Sequence, residues 1–290
     1  MKIALGYTRL RVEERLLLDA FEAIGVEVTP IDLRTVVFAP PALGRFAEFD
    51  AFVDRSVSLT TSLTTVRVLE SMGVRCINRG DAIEVCSDKM RTTLALHVAG
   101  VPTPEIRVAS SPEAALEAIE SLGYPCVLKP TVGSWGRLVA RVNDRDSAEA
   151  IVEHRDTLGS VNHSVYYVQE FIDKPGRDLR VFVVGGQTIA AIVRSSGHWV
   201  TNTARGAVAS KFELTPEIRA MCEASAAAVG ADVAAVDVLE CPKRGPLINE
   251  LNHSMEFRNS IDTTGIDIPR KVAEHVVRII EAARPAGVPA

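Results

Sequence analysis

Residues Leu128 to Val142 read LKPTVGSWGRLVARV: an apolar run ending in a lysine, two nearby glycines, and a second run alternating apolar with polar. That order limits what the segment can become. A P-loop needs its lysine behind the glycines at the mouth of a helix, where it closes over phosphate held by backbone N–H groups. Here Lys129 comes first. A dinucleotide fingerprint spaces three glycines between a strand and a helix, whereas Gly133 and Gly136 lead into RLVARV, whose alternation predicts a returning strand. The reading is a strand, a glycine-rich turn and a strand. Such a hairpin can fold over a nucleotide as a flap, with Lys129 reaching the phosphates from beside it. The same letters also serve an ordinary glycine hairpin with a surface lysine.

Before this segment, KIALGY, VEVTPID, AFVDRS and VRCIN predict strands. The amphipathic VEERLLLDAFEAIG and the helical TTSLTTVRVLESMG separate them, giving a small parallel-sheet unit that ends near Asn78. DAIEVCSDKMRTTLALHVAG predicts two helical turns with Asp88 near an N-cap, and the prolines of VPTPE break the chain, so a boundary falls between residues 80 and 90. EIRVA, SPEAALEAIESLG, YPCVLKP, the glycine turn, DSAEAIVEHRDTLG and VYYVQEFI make a compact α+β unit. A third unit opens with the hairpin DLRVFVVGGQTIAAIVRS and a long loop around GHWVTNTARGA. It continues through the helix TPEIRAMCEASAAAVG and the strands VAAVDVLE and PLINELNH to the closing helix IPRKVAEHVVRIIEAA.

With 290 residues, 47% of them hydrophobic, the chain can bury two or three modest cores. Its five cysteines are an odd number without C-x-x-C spacing, which predicts reduced thiols. A net charge of −5 gives no broad basic footprint, so nucleic acid is set aside as a partner. No apolar stretch approaches the ~20 residues of a membrane span, and a soluble, cytoplasmic protein is expected.

Glu250 and Asn252 stand two apart on a predicted strand, so their side chains share a face. On VAAVDVLE the carboxylate Asp237 interrupts an apolar run and needs a partner there. Two carboxylates and an amide oxygen form a hard-oxygen set suited to Mg²⁺, which completes its octahedron with phosphate and water. Lys89, Lys129, Arg180 and Arg194 supply the positive complement, and Arg180 shares a strand face with Asp178. In VYYVQEFI, the Gln169-Glu170 pair would offer a backbone edge to adenine. His198 and His253 lack the spacing of a transition-metal site.

Taken in order, Lys89 in SDKMRTTLAL, Lys129 in VLKPTVGSWGR, VQEFI, GRDLRVFVVG, Arg194, NTARG, Asp237 and INELNHSMEF resemble the ATP-grasp carboxylate–amine ligases over essentially the whole chain. Within that superfamily the chain looks most similar to the LysX-type ligases. These join the α-amino group of α-aminoadipate to the C-terminal glutamate of LysW, a small acidic amino-group carrier protein, in lysine biosynthesis. ArgX-type ligases load glutamate onto such a carrier, and RimK-type ligases add glutamate to a ribosomal protein.

The resemblance implies an α/β ATP-grasp fold. Residues 1–84 would be a Rossmann-like pre-ATP-grasp domain, 85–170 a central lid domain and 171–290 a C-terminal domain, with ATP between the last two. It implies ATP and Mg²⁺ as cofactors. Lys89 and Lys129 would hold phosphate, and Gly133, Ser134, Trp135, Gly136 and Arg137 would form the flap. Gln169, Glu170, Phe171 and Ile172 would be the adenine hinge, with Asp178, Arg180 and Arg194 also facing the nucleotide. Lys129 and Arg194 would act on the transferring phosphoryl group, and Asp237, Glu250 and Asn252 would hold the metal. Asn202, Thr203, Ala204, Arg205 and Gly206 would read the amino acid. An acidic carrier, a small amino acid and a homo-oligomeric assembly are the expected partners. Arg9, Arg11, Arg205 and Arg258 are candidates for the carrier's docking surface.

One position departs from the LysX pattern: NTARGG there is NTARGA here, and Ala207 lacks glycine's access to positive φ. The alternatives are therefore an ArgX-type ligase, a paralogue loading another amino acid, a RimK-like glutamate ligase, or an ATP-binding regulatory protein without turnover.

Overall fold

A computed structural model of the chain describes residues 1–133, 136–159, 164–201 and 206–283. Ser134, Trp135, Asn202, Thr203, Ala204 and Arg205 lie outside the described residues.

β1 (Lys2–Tyr7), β2 (Glu27–Asp32), β3 (Ala51–Arg55) and β4 (Cys76–Ile77) form a parallel sheet in the order β2-β1-β3-β4. Parallel neighbours need crossovers. These are α1 (Val12–Ala23), between β1 and β2, and α2 (Leu59–Ser71), between β3 and β4. Leu17 and Phe21 of α1 pack against Ile3, Leu5 and Val53, whereas Val66 and Leu69 of α2 pack on the opposite face with Ala4 and Phe52. α3 (Gly80–Ser87) and α4 (Lys89–Val98) follow. Asp88 accepts from the backbone N–H groups of Met90 and Arg91 at 2.9 and 3.1 Å, the N-cap anticipated from the sequence. The Lys89 N–H donates to Thr131 O at 2.8 Å, so α4 opens beside the glycine turn.

The second sheet holds β5 (Ile106–Ala109), β6 (Cys126–Lys129), β7 (Ala140–Val142) and β8 (Tyr166–Glu170), antiparallel in the order β5-β8-β6-β7. α5 (Pro112–Leu122) and α6 (Arg145–Leu158) cover the face carrying Cys126, Leu128 and Val168. The alternate residues Val127, Lys129 and Gln169 face the other way, into a cleft.

Two expectations are corrected here. RLVARV is a strand only from Ala140, because the hairpin arms part after the Leu128–Ala140 pair. Beyond it Arg155 of α6 donates to Lys129 O at 3.2 Å and to Leu138 O at 2.9 Å, and Leu138 takes a φ of 56°. Gln169 and Glu170 offer no free backbone edge, because β8 lies between β5 and β6 and pairs with both. Any free edge begins past Glu170.

The third sheet is antiparallel: β9 (Arg177–Val184), β10 (Gln187–Ser195), β11 (Val208–Lys211), β12 (Val233–Cys241) and β13 (Gly245–Asn252), ordered β11-β10-β9-β12-β13. Gly185 and Gly186, with φ of 59° and 72°, make the two-residue turn between β9 and β10 that only residues tolerant of positive φ allow. α7 (Pro216–Ala228) covers Leu179, Val181, Val193, Val236 and Val238. The opposite face changes character along its length. Phe182, Val184, Ile192, Val233 and Ala235 pack in the core with Val272 and Val276 of α9 (Ile268–Ala283). Two residues further along each strand, the same face carries Arg180, Arg194 and Asp237. The short α8 (Arg258–Thr264), not anticipated from the sequence, precedes α9.

A polar seam ties the first sheet to the third. The Asn78 side chain donates to Val233 O at 2.7 Å and to His253 O at 2.9 Å, and accepts from Val233 N–H at 3.0 Å. Arg55, 4% exposed, donates to the fully buried Glu14 at 3.1 Å and to Met255 O at 3.1 Å. Arg11 binds the same Glu14 at 2.9 Å.

Candidate active site

Strand register assembles the charges. Asp237 lies opposite Glu250 on β13 and opposite Arg180 on β9, while Arg194 lies opposite Asp178. Sharing one face is what the period of two dictates. A bulge in the β12–β13 pairing follows Asp237 and brings Asn249 to the cleft beside Glu250.

Arg180 grips both oxygens of Asp237 at 2.8 and 2.9 Å, and Arg194 adds a contact of 3.2 Å. Arg194 also donates to Asp178 at 2.7 Å. Lys174 lies 3.2 Å from the other Asp178 oxygen and donates to Thr201 Oγ1, which bonds that same oxygen. Burial alone would raise the Asp237 carboxyl, but Arg180 and Arg194 hold it well below the usual carboxylate range. Burial likewise opposes the charge on Arg194, and Asp237 and Asp178 overcome it, raising the guanidinium above its ordinary value.

Lys129 enters from the second sheet, donating to Gln169 Oε1 at 2.8 Å and to Asn249 Oδ1 at 3.0 Å. Burial pushes its ammonium down to about 8, with Glu250 pulling the other way. Lys89 donates to Gly133 O at 2.7 Å and lies 4.0 Å from Glu250. Lys89, Lys129, Lys174, Arg180 and Arg194 thus stand among the carboxylates Asp178, Asp237 and Glu250 in two adjoining clefts. Such a surplus suits a polyanion. Toward the cleft's other end Val127, Ile172 and Leu239 give apolar walls, and Phe171 lies under Arg141 at 4.0 Å with Trp199 at 6.1 Å.

The donor set fits Mg²⁺. Asp237 and Glu250 lie directly opposite each other across the strand pair, which sets two carboxylates on one face, an arrangement that favours a shared cation. Arg180 and Arg194 together place two donors on Asp237 Oδ1 and one on Oδ2. The Asn252 amide has a buried nitrogen without a partner among the described residues, and rotating the amide would place its oxygen there. Among the described residues no cluster of three His, Cys, Asp or Glu side chains forms. His198 stacks on Trp199, and burial followed by Arg55 pushes His253 down to about 4.

The cleft therefore collects Lys89, Lys129, Gly133, Gly136, Arg137, Gln169, Glu170, Phe171, Ile172, Asp178, Arg194, Asp237 and Glu250. Asn252 and Arg180 line an adjoining cleft of about 210 Å³ with Lys89 and Glu250. Glu170 points away to pair with Arg244. Gly206, the described part of the substrate loop, lies just before β11 with φ 84°. Lys174, Asn249, Thr201 and Trp199 were not anticipated. Lys174 carried a faint signal, sitting four residues before Asp178 in a Pro-Gly turn. The arginine candidates converge in part: Arg9, Arg11 and Arg258 line one further cleft of about 490 Å³, whose wall also includes Arg180 and Arg194.

No helix among the described residues is long and apolar enough to cross a membrane. Residues 3–85 match the LysX preATP-grasp domain and residues 86–276 match the RimK-like ATP-grasp domain. The chain is 34% identical over 282 residues to a glutamate–LysW ligase ArgX of Sulfurisphaera tokodaii, covering 95% of this chain and 98% of that one. It is 32% identical over 287 residues to an α-aminoadipate–LysW ligase LysX of the same organism, covering 97% and 98%. A RimK-domain ATP-grasp protein of Sphaerobacter thermophilus shares the fold, with a TM-score of 0.78 and 31% identity over 95% of this chain and 99% of that one. An anion-seeking cleft between two antiparallel sheets lies in a chain that the ArgX and LysX ligases match over 95% and 97% of its length. The chain belongs to the RimK-like ATP-grasp family and is an ATP- and Mg²⁺-using ligase of the kind that forms amide bonds.

Proposed function

We propose that the enzyme joins the α-amino group of α-aminoadipate to the C-terminal glutamate γ-carboxylate of a small acidic carrier of the LysW type. The observation that carries this reading is the arginine-lined cleft of about 490 Å³ against the Arg180–Arg194 wall, which suits substrates rich in carboxylates. Glutamate in place of α-aminoadipate is the second reading, supported by the ArgX relative at 34% identity beside 32% for LysX.

A carboxylate is a poor electrophile, so ATP phosphorylates it to an acyl phosphate, which an amine then attacks. Lys89, at the start of α4, and Lys129, at the end of β6, hold phosphate oxygens. Arg194, fixed by Asp178 and Asp237, presents a full positive charge where negative charge gathers on the transferring group. Asp237, Glu250 and Asn252 would hold Mg²⁺, which offsets phosphate charge when bound. The turn from Gly133 to Gly136 closes over the nucleotide and keeps water from the acyl phosphate.

The docking roles separate in steady-state kinetics. With a LysW-type carrier, Arg9→Glu/Arg258→Glu raises the carrier KM about tenfold or more, as does added salt, because exposed charges are screened beyond ~8 Å. The amino-acid KM stays nearly flat in both cases. Arg205→Ala does the reverse. Equal changes in both KM values would remove the assignment of the cleft to the carrier, and a panel of amino acids decides between α-aminoadipate and glutamate.

Lys129 gives a pH signature. Its value of about 8 means the free enzyme loses this charge as pH rises through that point, while bound phosphate favours the protonated form. ATP binding should therefore take up a proton near pH 8.5 and weaken by up to tenfold per pH unit above about 8. Calorimetry in buffers of different ionisation enthalpy measures the uptake. A pH-independent affinity between about 8 and 9.5, with no proton uptake, would place Lys129 outside the phosphate site.

A further inference from the structure

Resting on the ligase reading above, we infer that Glu256 holds the ammonium of the incoming amino acid where two clefts meet and takes its proton before the amide bond forms. The cleft of about 210 Å³ reaches Lys89, Gly133, Glu250 and Asn252, the phosphate end of the site. The cleft of about 490 Å³ carries Arg9, Arg258 and Arg194. Among the described residues, only Arg11, Arg180 and Glu256 line both. An amine that must meet an activated carboxylate passes this junction, and of the three side chains there only Glu256 can accept a hydrogen bond from an ammonium.

The backbone presents Glu256 rigidly. Met255 and Phe257 on either side are 0% and 1% exposed and belong to the apolar core. Met255 O accepts from Arg55, whose guanidinium lies 5.9 Å from the Phe257 ring centroid. With its neighbours turned inward, Glu256 faces the clefts, its side chain 40% exposed and 3.4 Å from Arg11. Arg11 is itself fixed by the buried Glu14. The polar groups that line the two clefts with it include Arg9, Arg11 and Glu13 from the first module, Arg180 from β9, Arg194 from β10, His253 and Ser254 after β13, and Arg258 from α8.

Among the described residues no other carboxylate lines both clefts. Asp237 is held by Arg180 and Arg194, and Asp178 by Arg194, Lys174 and Thr201. Glu250 stands beside Lys89, Glu14 is fully buried between Arg11 and Arg55, and Glu13 lines the larger cleft alone. In the step assigned to Glu256, the ammonium gives one proton to its carboxylate, which passes it to water. The freed lone pair attacks the acyl phosphate carbon, so that C–N forms. The C–O bond to phosphate breaks with its electron pair on phosphate, which leaves as hydrogen phosphate with the amine's second proton.

Hydroxylamine tests this, since it is largely unprotonated at neutral pH and attacks acyl phosphates without help. The wild type, Glu256→Gln and Glu256→Asp are compared in two assays, amide formation with the amino acid and hydroxamate formation with hydroxylamine, each with ATP, Mg²⁺ and the acidic carrier. The expected result is that Glu256→Gln lowers the ratio of amide to hydroxamate rate about 100-fold or more, and that Glu256→Asp restores part of it. Equal loss in both assays would make Glu256 merely structural, and an unchanged ratio would remove it from the amine step; either overturns the inference. A wild type that makes neither product with the carrier would instead overturn the ligase reading beneath it.

Discussion

Glu250→Gln lowers turnover by about 100- to 1,000-fold, the usual cost of removing one fixed charge-stabilising group from a phosphoryl-transfer site. The position explains why an isosteric change does so much. Glu250 faces Asp237 across the strand pair and lies 4.0 Å from Lys89. A neutral amide there weakens the only carboxylate of the proposed metal set not already gripped by arginine, and leaves Lys89 less well balanced between phosphate and protein. Phosphate release measured across a Mg²⁺ titration checks both effects. Near-normal release from Glu250→Gln at saturating Mg²⁺ would move the metal elsewhere.

The largest expected effect on stability belongs to Arg55→Met, at the seam between the first sheet and the third. Glu14 is 0% exposed and has Arg55 and Arg11 as partners. Burial raises the Glu14 carboxyl, but Arg11 and then Arg55 outweigh it and hold its pKa below the ordinary value. A depressed carboxylate stabilises the fold above its unfolded-state pKa, and that contribution disappears as pH falls through the folded value. Removing Arg55 leaves a buried carboxylate with Arg11 alone and strands Met255 O, at a cost of about 3 kcal/mol. The double variant Arg55→Met/Glu14→Leu should recover much of this, since replacing a whole buried pair costs less than breaking it. Urea midpoints report both. A loss under about 1 kcal/mol in the single variant would show that water reaches Glu14.

Local pattern made much of this molecule legible. The αβ alternation, the Asp88 cap, the glycine turn between β9 and β10, and the shared face of Glu250 and Asn252 all follow from periods of 3.6 and 2 and from turn chemistry. The arginine grip on Asp237 could not be read that way, since Arg180 and Arg194 reach it through strands whose order no local signal specifies. The same holds for Lys174 and Thr201 on Asp178. Asn249 comes to the cleft by a one-residue bulge, which strict alternation would have turned away. RLVARV alternates like a full strand, yet its first half is drawn into a turn by Arg155, a partner supplied by a later helix. The interval from Asn202 to Arg205 lies outside the described residues, so its reading of the amino acid stands as a proposal.

Asn78 bears on how freely the parts of this enzyme can be exchanged. Its amide imitates a peptide group, both accepting from and donating to Val233 and also capping His253 O. A fragment cut after the first module would leave an N–H and two carbonyls at the edge of the remaining sheet without the partners they were shaped to meet. The modules are thus not interchangeable cassettes. A hybrid ligase that borrows its first module from a relative keeps this joint only if an amide of the same reach stands at position 78.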